Sequence, residues 1–174
     1  MRMDLSELLI YIIPSVVVFL TTVTTLFLFF RNEQNKRKYE LAKQNSKVNL
    51  PFLLQAHERA TIFCERIGLD SLVKRNSRQG QTVAEIQSKL LMTIRTEFEH
   101  NFSQQLYLSD IAWVHIVSAK ENMIKLINTE AIKLKPEQPG IFLAKALIEV
   151  YADIEFPSNK KAIQRLRDDV RSYI

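Results

Sequence analysis

The chain opens on an unbroken apolar run. From Leu8 to Phe30 no charged side chain occurs (LLIYIIPSVVVFLTTVTTLFLFF). As a helix rising 1.5 Å per residue, this run is about 34 Å long, enough to cross a hydrocarbon core of about 30 Å. A cleaved secretory leader has a shorter apolar region, a basic start and a small-residue cleavage site. Here Arg2 is the only base before the run, and no Ala-x-Ala follows Phe30. The pattern predicts a retained transmembrane helix at 8–30. Ser15, Thr21, Thr22 and Thr25 share one helical face, where small hydroxyl residues suit either contact with a second helix or bonds to their own backbone.

Beyond Phe30 the period changes. Residues 31–48 are rich in Lys, Glu, Gln and Asn without a turn signal, so the anchor helix is expected to run on and stop near Asn49-Leu50-Pro51. Leu53, Ala56, Ala60, Phe63, Cys64 and Ile67 then form one apolar stripe, with Gly68 as the expected C-cap. Residues 70–81 read as a connection with a short helical turn around Leu72-Val73. Thr82-Val83-Ala84-Glu85 matches a capping box, opening a helix whose stripe is Val83, Ile86, Leu90, Ile94, Phe98 and Phe102, ending near Gln105. Ser109 caps the next helix, with Trp113, Ile116, Val117, Ile124, Ile127, Ala131 and Leu134 on one face. Pro136 and Pro139-Gly140 break the chain. A shorter helix covers 141–155, and Ser158 is expected to cap a last one bearing Ile163, Leu166, Val170 and Tyr173. The pattern predicts an all-α protein: an anchor helix, its basic continuation and a bundle of about five helices.

Composition agrees. In 174 residues, 47% hydrophobic, there are only 3 Gly and 5 Pro, which argues against an all-β fold and against a glycine-rich nucleotide loop. The hydrophobic share excludes a disordered chain. The division expected is a short leader 1–7, the membrane helix 8–30, a basic collar 31–49 and a helical domain 50–174.

Charge sets the orientation. The collar holds Arg31, Lys36, Arg37, Lys38, Lys43 and Lys47 against Glu33 and Glu40, whereas residues 50–174 are nearly balanced, with 17 basic and 15 acidic side chains. The positive-inside rule then places the N-terminus outside and the C-terminal domain in the cytoplasm. The same collar is a candidate for anionic headgroups. The single cysteine, Cys64, permits no intramolecular disulfide, which suits a reducing compartment.

The densest polar segment is Arg95-Thr96-Glu97-Phe98-Glu99-His100-Asn101-Phe102-Ser103-Gln104-Gln105. Glu97 and Asn101 project on or beside the apolar stripe, with His100 at its edge and His57 at the edge of its own helix's stripe. The expected outcome is a structural hydrogen-bond network or recognition site drawn from His57, Arg59, Arg95, Glu97, Glu99, His100, Asn101, Gln104 and Gln105, since unpaired polar groups near a core cost about 1–3 kcal/mol each. Glu97-x-x-His100 has the spacing of a di-iron carboxylate bundle, but no second Glu-x-x-His occurs. A metal-binding bundle or enzyme centred on Glu97, His100 and His57 is therefore the alternative, and no metal ligand set or cofactor is expected. No G-x-S-x-G, P-loop or dinucleotide fingerprint is present, and no catalytic residue is assigned. The last helix carries Lys160, Lys161, Arg165, Arg167 and Arg171, but Asp168 and Asp169 interrupt them and no stacking aromatics accompany them, which argues against nucleic acid.

Residues 50–59 (LPFLLQAHER) and 94–107 (IRTEFEHNFSQQLY), with Trp113 following, resemble an uncharacterised family of bacterial single-pass membrane proteins. The resemblance implies an anchored, all-helical architecture in a bacterial inner membrane and no particular reaction. With the anchor and the missing catalytic set, the expected function is a non-enzymatic scaffold or adaptor. It would recruit a cytoplasmic or membrane protein, or self-associate through the membrane helix. The exposed part of 95–115, with Gln104, Gln105 and Tyr107, is the expected contact. An anionic-lipid-responsive module using the collar and last helix is the second alternative, and the substrate, if any, is left unassigned.

Overall fold

The computed structural model describes residues 5–173, with side chains from residue 14 onward except those of residues 35, 38, 39, 41–43 and 45–47. The collar's Lys38, Lys43 and Lys47 side chains, and the start of the leader at 1–4, lie outside the described residues. The chain divides into two units, Met1–Asn49 and Leu50–Ile174. All the regular elements among the described residues are helical: α1 (Leu5–Arg66), α2 (Leu69–Asn76), α3 (Val83–Asn101), a 3₁₀ segment (Phe102–Tyr107), α4 (Asp110–Ile132), α5 (Ile141–Ala152) and α6 (Ser158–Tyr173).

In the first unit, Pro14–Gln34 is long and apolar enough to cross a membrane, with a mean hydropathy of 1.6 and none of it buried within the protein. The hydroxyls of Thr21, Thr22, Thr24 and Thr25 donate to backbone carbonyls three or four residues earlier, at 2.7–2.9 Å. Each side chain thus satisfies its donor on its own helix. Arg31, Lys36 and Arg37 are exposed, and Arg37 reaches Glu33 at 3.4 Å.

In the second unit the last quarter of α1, with α2 to α6, encloses one core. Phe63, Ile67, Leu69, Leu72, Ile86, Leu90, Ile94, Ile116, Met123, Ile127, Leu143 and Leu147 are its largest fully buried side chains. Burying one such side chain contributes about 1.5–3 kcal/mol. Helix α4 is central, packing against α6, α3 and α5, while α2 packs against α5 and α3.

Helix α3 starts as its sequence predicts. Thr82 Oγ1 accepts from the Glu85 amide at 3.3 Å, and Glu85 Oε2 accepts from the Thr82 amide at 2.9 Å. The next amides, of Val83 and Ala84, donate to the carbonyls of Gln138 and Pro136. The 136–140 loop therefore completes the cap that the box begins.

Four local features depart from expectation. Helix α1 continues through Pro51 instead of stopping there. An interior proline costs a helix about 3 kcal/mol, and α1 carries that cost at this position. The 70–81 connection contains a full two-turn helix, α2, because Leu69, Leu72, Val73 and Asn76 make a buried face. Gly68 is not a left-handed C-cap: its φ is −55° and it precedes α2. Its role is space, since a Cβ there would meet Asn159 Nδ2 and Asp70 Oδ1 at 3.0 Å and the Tyr151 hydroxyl at 3.1 Å. Ser158 lies within the first turn of α6 and its buried hydroxyl has no hydrogen-bond partner, so it is not the cap.

Helix α6 is tied to the rest by buried polar residues. Asn159, 1% exposed, accepts from the Tyr151 hydroxyl at 2.9 Å and donates to the Cys64 carbonyl at 3.1 Å. Beside it Lys160 meets Glu65 at 3.0 Å, and that carboxylate holds the ammonium charged above the ordinary lysine range. Asp169 accepts a short hydrogen bond from Ser109, the N-cap of α4, and pairs with Arg165 at 2.7 Å.

Candidate functional site

The polar segment of α3 divides rather than converging. Glu97 faces α1 and α2: its Oε1 accepts from Arg66 Nη1 at 2.9 Å, and Arg75 Nη1 stands at 3.9 Å. Arg75 Nη2 also donates to the Arg66 carbonyl at 2.6 Å, satisfying an orphan acceptor at the end of α1. Asn101 donates to the Glu97 carbonyl at 2.8 Å, closing the last turn of α3. Arg95, Glu99 and His100 are exposed. Gln104 donates to Ser103 at 3.4 Å, and Gln105 is half-buried. Glu97 and Asn101 thus meet through the backbone, with Arg66 and Arg75 as the partners that the spacing did not identify.

His57 and Arg59 stand elsewhere. Arg59 is exposed. His57 is 3% exposed, with Nδ1 at 2.7 Å from the Leu53 carbonyl and the Tyr173 ring edge-on at 5.6 Å. Among the described residues, no group of three or more His, Cys, Asp or Glu side chains is placed to hold a metal ion.

Between α3 and α4 the aromatic residues form a cluster. The Phe98 ring stacks on Trp113 at 5.5 Å and meets Phe63 at 5.8 Å and Phe102 at 5.9 Å. Lys120 Nζ lies 4.3 Å from the Phe98 ring centroid, a cation–π contact. Outside this cluster the apolar surface continues into solvent. Phe102, Leu106, Tyr107, Ile111 and Val114 are all exposed, Leu106 at 79%, and Tyr107 stacks on exposed Phe52 at 6.4 Å. The 3₁₀ segment next to this cluster presents Phe102, Leu106 and Tyr107, and the first turns of α4 present Ile111 and Val114.

A cavity of about 610 Å³ lies elsewhere, between the loop 77–82 and the loop 137–141. Arg78, Gln79 and Glu137 stand on its rim, with Ile86 and Pro139 in its walls. The loops are held together by Gly140 N donating to the Gln81 carbonyl at 2.7 Å and by an antiparallel bridge between Thr82 and Pro139. In the sequence pattern both loops read only as connections. The signal that they adjoin was Pro139-Gly140, since a Cβ at Gly140 would meet two carbonyl oxygens at 3.0 Å.

Cys64 is no nucleophile. It is fully buried, and burial, assisted by the neighbouring Glu65 carboxylate, pushes its thiol from 9.0 up to about 12. A thiol in that state supplies almost no thiolate near neutrality.

Over residues 3–173 the chain matches DUF7935, a family of unknown function, and it belongs to that family. No curated protein and no solved structure matches it.

Proposed function

We propose that this chain is a non-enzymatic membrane-anchored adaptor in a bacterial inner membrane. Its apolar helix crosses the bilayer once with the N-terminus outside, and its C-terminal bundle recruits a protein partner in the cytoplasm. The observation that carries the reading is the segment Pro14–Gln34, apolar, helical and wholly unburied within the protein. Left in water it would expose a row of large apolar side chains, from Val16 to Phe30, at about 25 cal/mol per Å². A bilayer removes that cost. The intrahelical bonds of its four threonines support the same reading, because lipid offers hydroxyls no partner. The basic excess at 31–49 supports the orientation.

For recruitment the best-supported surface is the run from Phe102 to Val114. Exposed large apolar side chains grouped on a rigid, aromatic-backed segment are the usual form of a protein contact. Affinity capture of the full chain from gently solubilised membranes tests the reading. A stoichiometric protein partner lost in Leu106→Asp is the expected result. Recovery of a monomer alone, or extraction of the chain from membranes by alkaline carbonate, would overturn it.

A further inference from the structure

Among the described residues His57, Ser77, Ser158 and Arg165 each hold a buried polar atom without a hydrogen-bond partner, and His57 is the imidazole among them. Its Nδ1 faces the Leu53 carbonyl at 2.7 Å, and a carbonyl only accepts, so Nδ1 carries the proton. In the tautomer with its single proton on Nδ1, Nε2 is a bare acceptor, and this buried atom has no hydrogen-bond partner. A buried polar atom of this kind requires an explanation.

His57 lies in the wall of a surface groove of about 360 Å³ between α1 and α6. Arg167 and Arg171, one turn apart on α6, line the same groove, as do Thr61 and Glu58 of α1. Both arginines are exposed: among the described residues Arg167 reaches Gln164 at 3.4 Å, and Arg171 stands 3.8 Å from Asp168. The groove therefore combines two guanidinium donors with one imidazole acceptor. A metal ion does not suit it, since among the described residues no set of three ligands accompanies His57. A fully ionised oxyanion would satisfy the arginines but leave Nε2 unpaired, and Glu58 opposes the extra charge. An oxyanion that keeps one proton fits both demands.

We propose that this groove binds a protonated phosphate group. Its P–OH donates to His57 Nε2 and its remaining oxygens accept from Arg167 and Arg171. Tyr173, 40% exposed on the last turn of α6 with its ring edge against the imidazole, moves aside to admit it. The site is distinct from the recruitment surface, and its test is independent of any protein partner. Two sources present this chemistry, a soluble phosphate ester and the headgroup of an anionic lipid.

The test uses the full chain, labelled with ¹⁵N-histidine, in nanodiscs of phosphatidylcholine. His57 is identified by comparison with His57→Phe. Inorganic phosphate is titrated at constant pH and ionic strength, and sulfate, which has no proton to donate, is titrated in parallel. Phosphate is expected to move the His57 Nε2 resonance saturably, and sulfate to do so at least about tenfold more weakly. Loss of two charge-assisted bonds in the Arg167→Ala/Arg171→Ala variant, at exposed positions that leave the fold intact, lowers affinity by at least about tenfold. Tyr173→Ala raises it. In a separate arm, nanodiscs containing phosphatidic acid with no free phosphate reveal whether the headgroup produces the same shift. An unmoved Nε2 resonance in both arms, equal effects of phosphate and sulfate, or unchanged affinity in the double arginine variant would each overturn the proposal.

Discussion

Asn159 donates its side-chain amide to the backbone carbonyl of Cys64 at 3.1 Å, joining the first turn of α6 to the last turns of α1 across most of the second unit's sequence. Its carbonyl accepts from Tyr151 at 2.9 Å, so one buried amide connects α1, α5 and α6. Replacing it with alanine strands a hydroxyl and a carbonyl, each worth about 1–3 kcal/mol when unsatisfied. Asn159→Ala is expected to destabilise the second unit by about 3 kcal/mol, read as a lowered urea midpoint at unchanged slope. An effect below about 1 kcal/mol would show that the tie is dispensable.

Cys64 lies next to that tie and makes stability depend on alkaline pH. Its folded pKa of about 12 lies above the unfolded value of 9.0. The folded state therefore keeps a proton that the unfolded chain releases. The resulting stabilisation is complete below pH 9 and is lost as pH rises toward 12, with a slope of at most about 1.4 kcal/mol per pH unit. Cys64→Ala is expected to flatten this slope in denaturation curves at pH 8 to 11. In the native protein at pH 8, the thiol should resist iodoacetamide until the bundle unfolds.

Gly140 closes the two loops that carry the large cavity. A Cβ there would meet the Gln81 and Thr82 carbonyl oxygens at 3.0 Å and Ile86 at 3.3 Å, two of these contacts being backbone, which cannot rotate away. Gly140→Ala is expected to cost about 1–3 kcal/mol. It should also weaken the start of α3, whose Val83 and Ala84 amides rely on the same loop. Faster hydrogen exchange confined to 81–86 and 136–142 is the measurement that locates the effect.

The Glu97 pair with Arg66 tests how much of the polar segment is structural. Arg66 is half exposed and Glu97 less so, which places the pair near the surface class. Glu97→Gln is therefore expected to cost no more than about 1 kcal/mol, and a double-mutant cycle with Arg66→Met should give a coupling of similar size. A coupling of 3 kcal/mol or more would mean that solvent is excluded from the pair far more than its exposure suggests.

How far these features could be read in advance differs by kind. The α3 capping box was legible because both of its bonds are local, between residues three apart. On α4 the pattern marks Ile116, Ile127 and Ala131 correctly as buried, but it passes over Ala112, Ala119 and Met123, which are buried too, and Trp113, Ile124 and Leu134 pack only partly buried against the core. Alanine carries too little hydrophobicity to stand out in such a pattern, although the fold buries Ala112 and Ala119 fully. On α6, Asn159 and Asp169 hold core positions that a hydrophobic pattern assigns to solvent. Their partners, Cys64, Tyr151 and Ser109, lie on other helices, and spacing within one helix carries no record of them. For the same reason Glu97 and His57 were grouped by character although the fold separates them. The adjoining loops at 77–82 and 137–141 depend on a contact between distant segments.

The surface proposed for recruitment yields the most direct functional prediction, and the cluster behind it supplies the control. Leu106 is 79% exposed, so Leu106→Asp removes an apolar contact without disturbing a packed site. Thermal stability is expected to change by less than about 0.5 kcal/mol. Phe98 is the opposite case, touching Phe63, Phe102, Trp113 and Lys120. Phe98→Ala opens a cavity beside the core and should cost about 3 kcal/mol or more. If the surface recruits a partner, both variants lose it, but only Leu106→Asp does so with its melting profile intact. Loss of binding in Phe98→Ala alone, with Leu106→Asp still captured at wild-type yield, would move the contact away from 102–114.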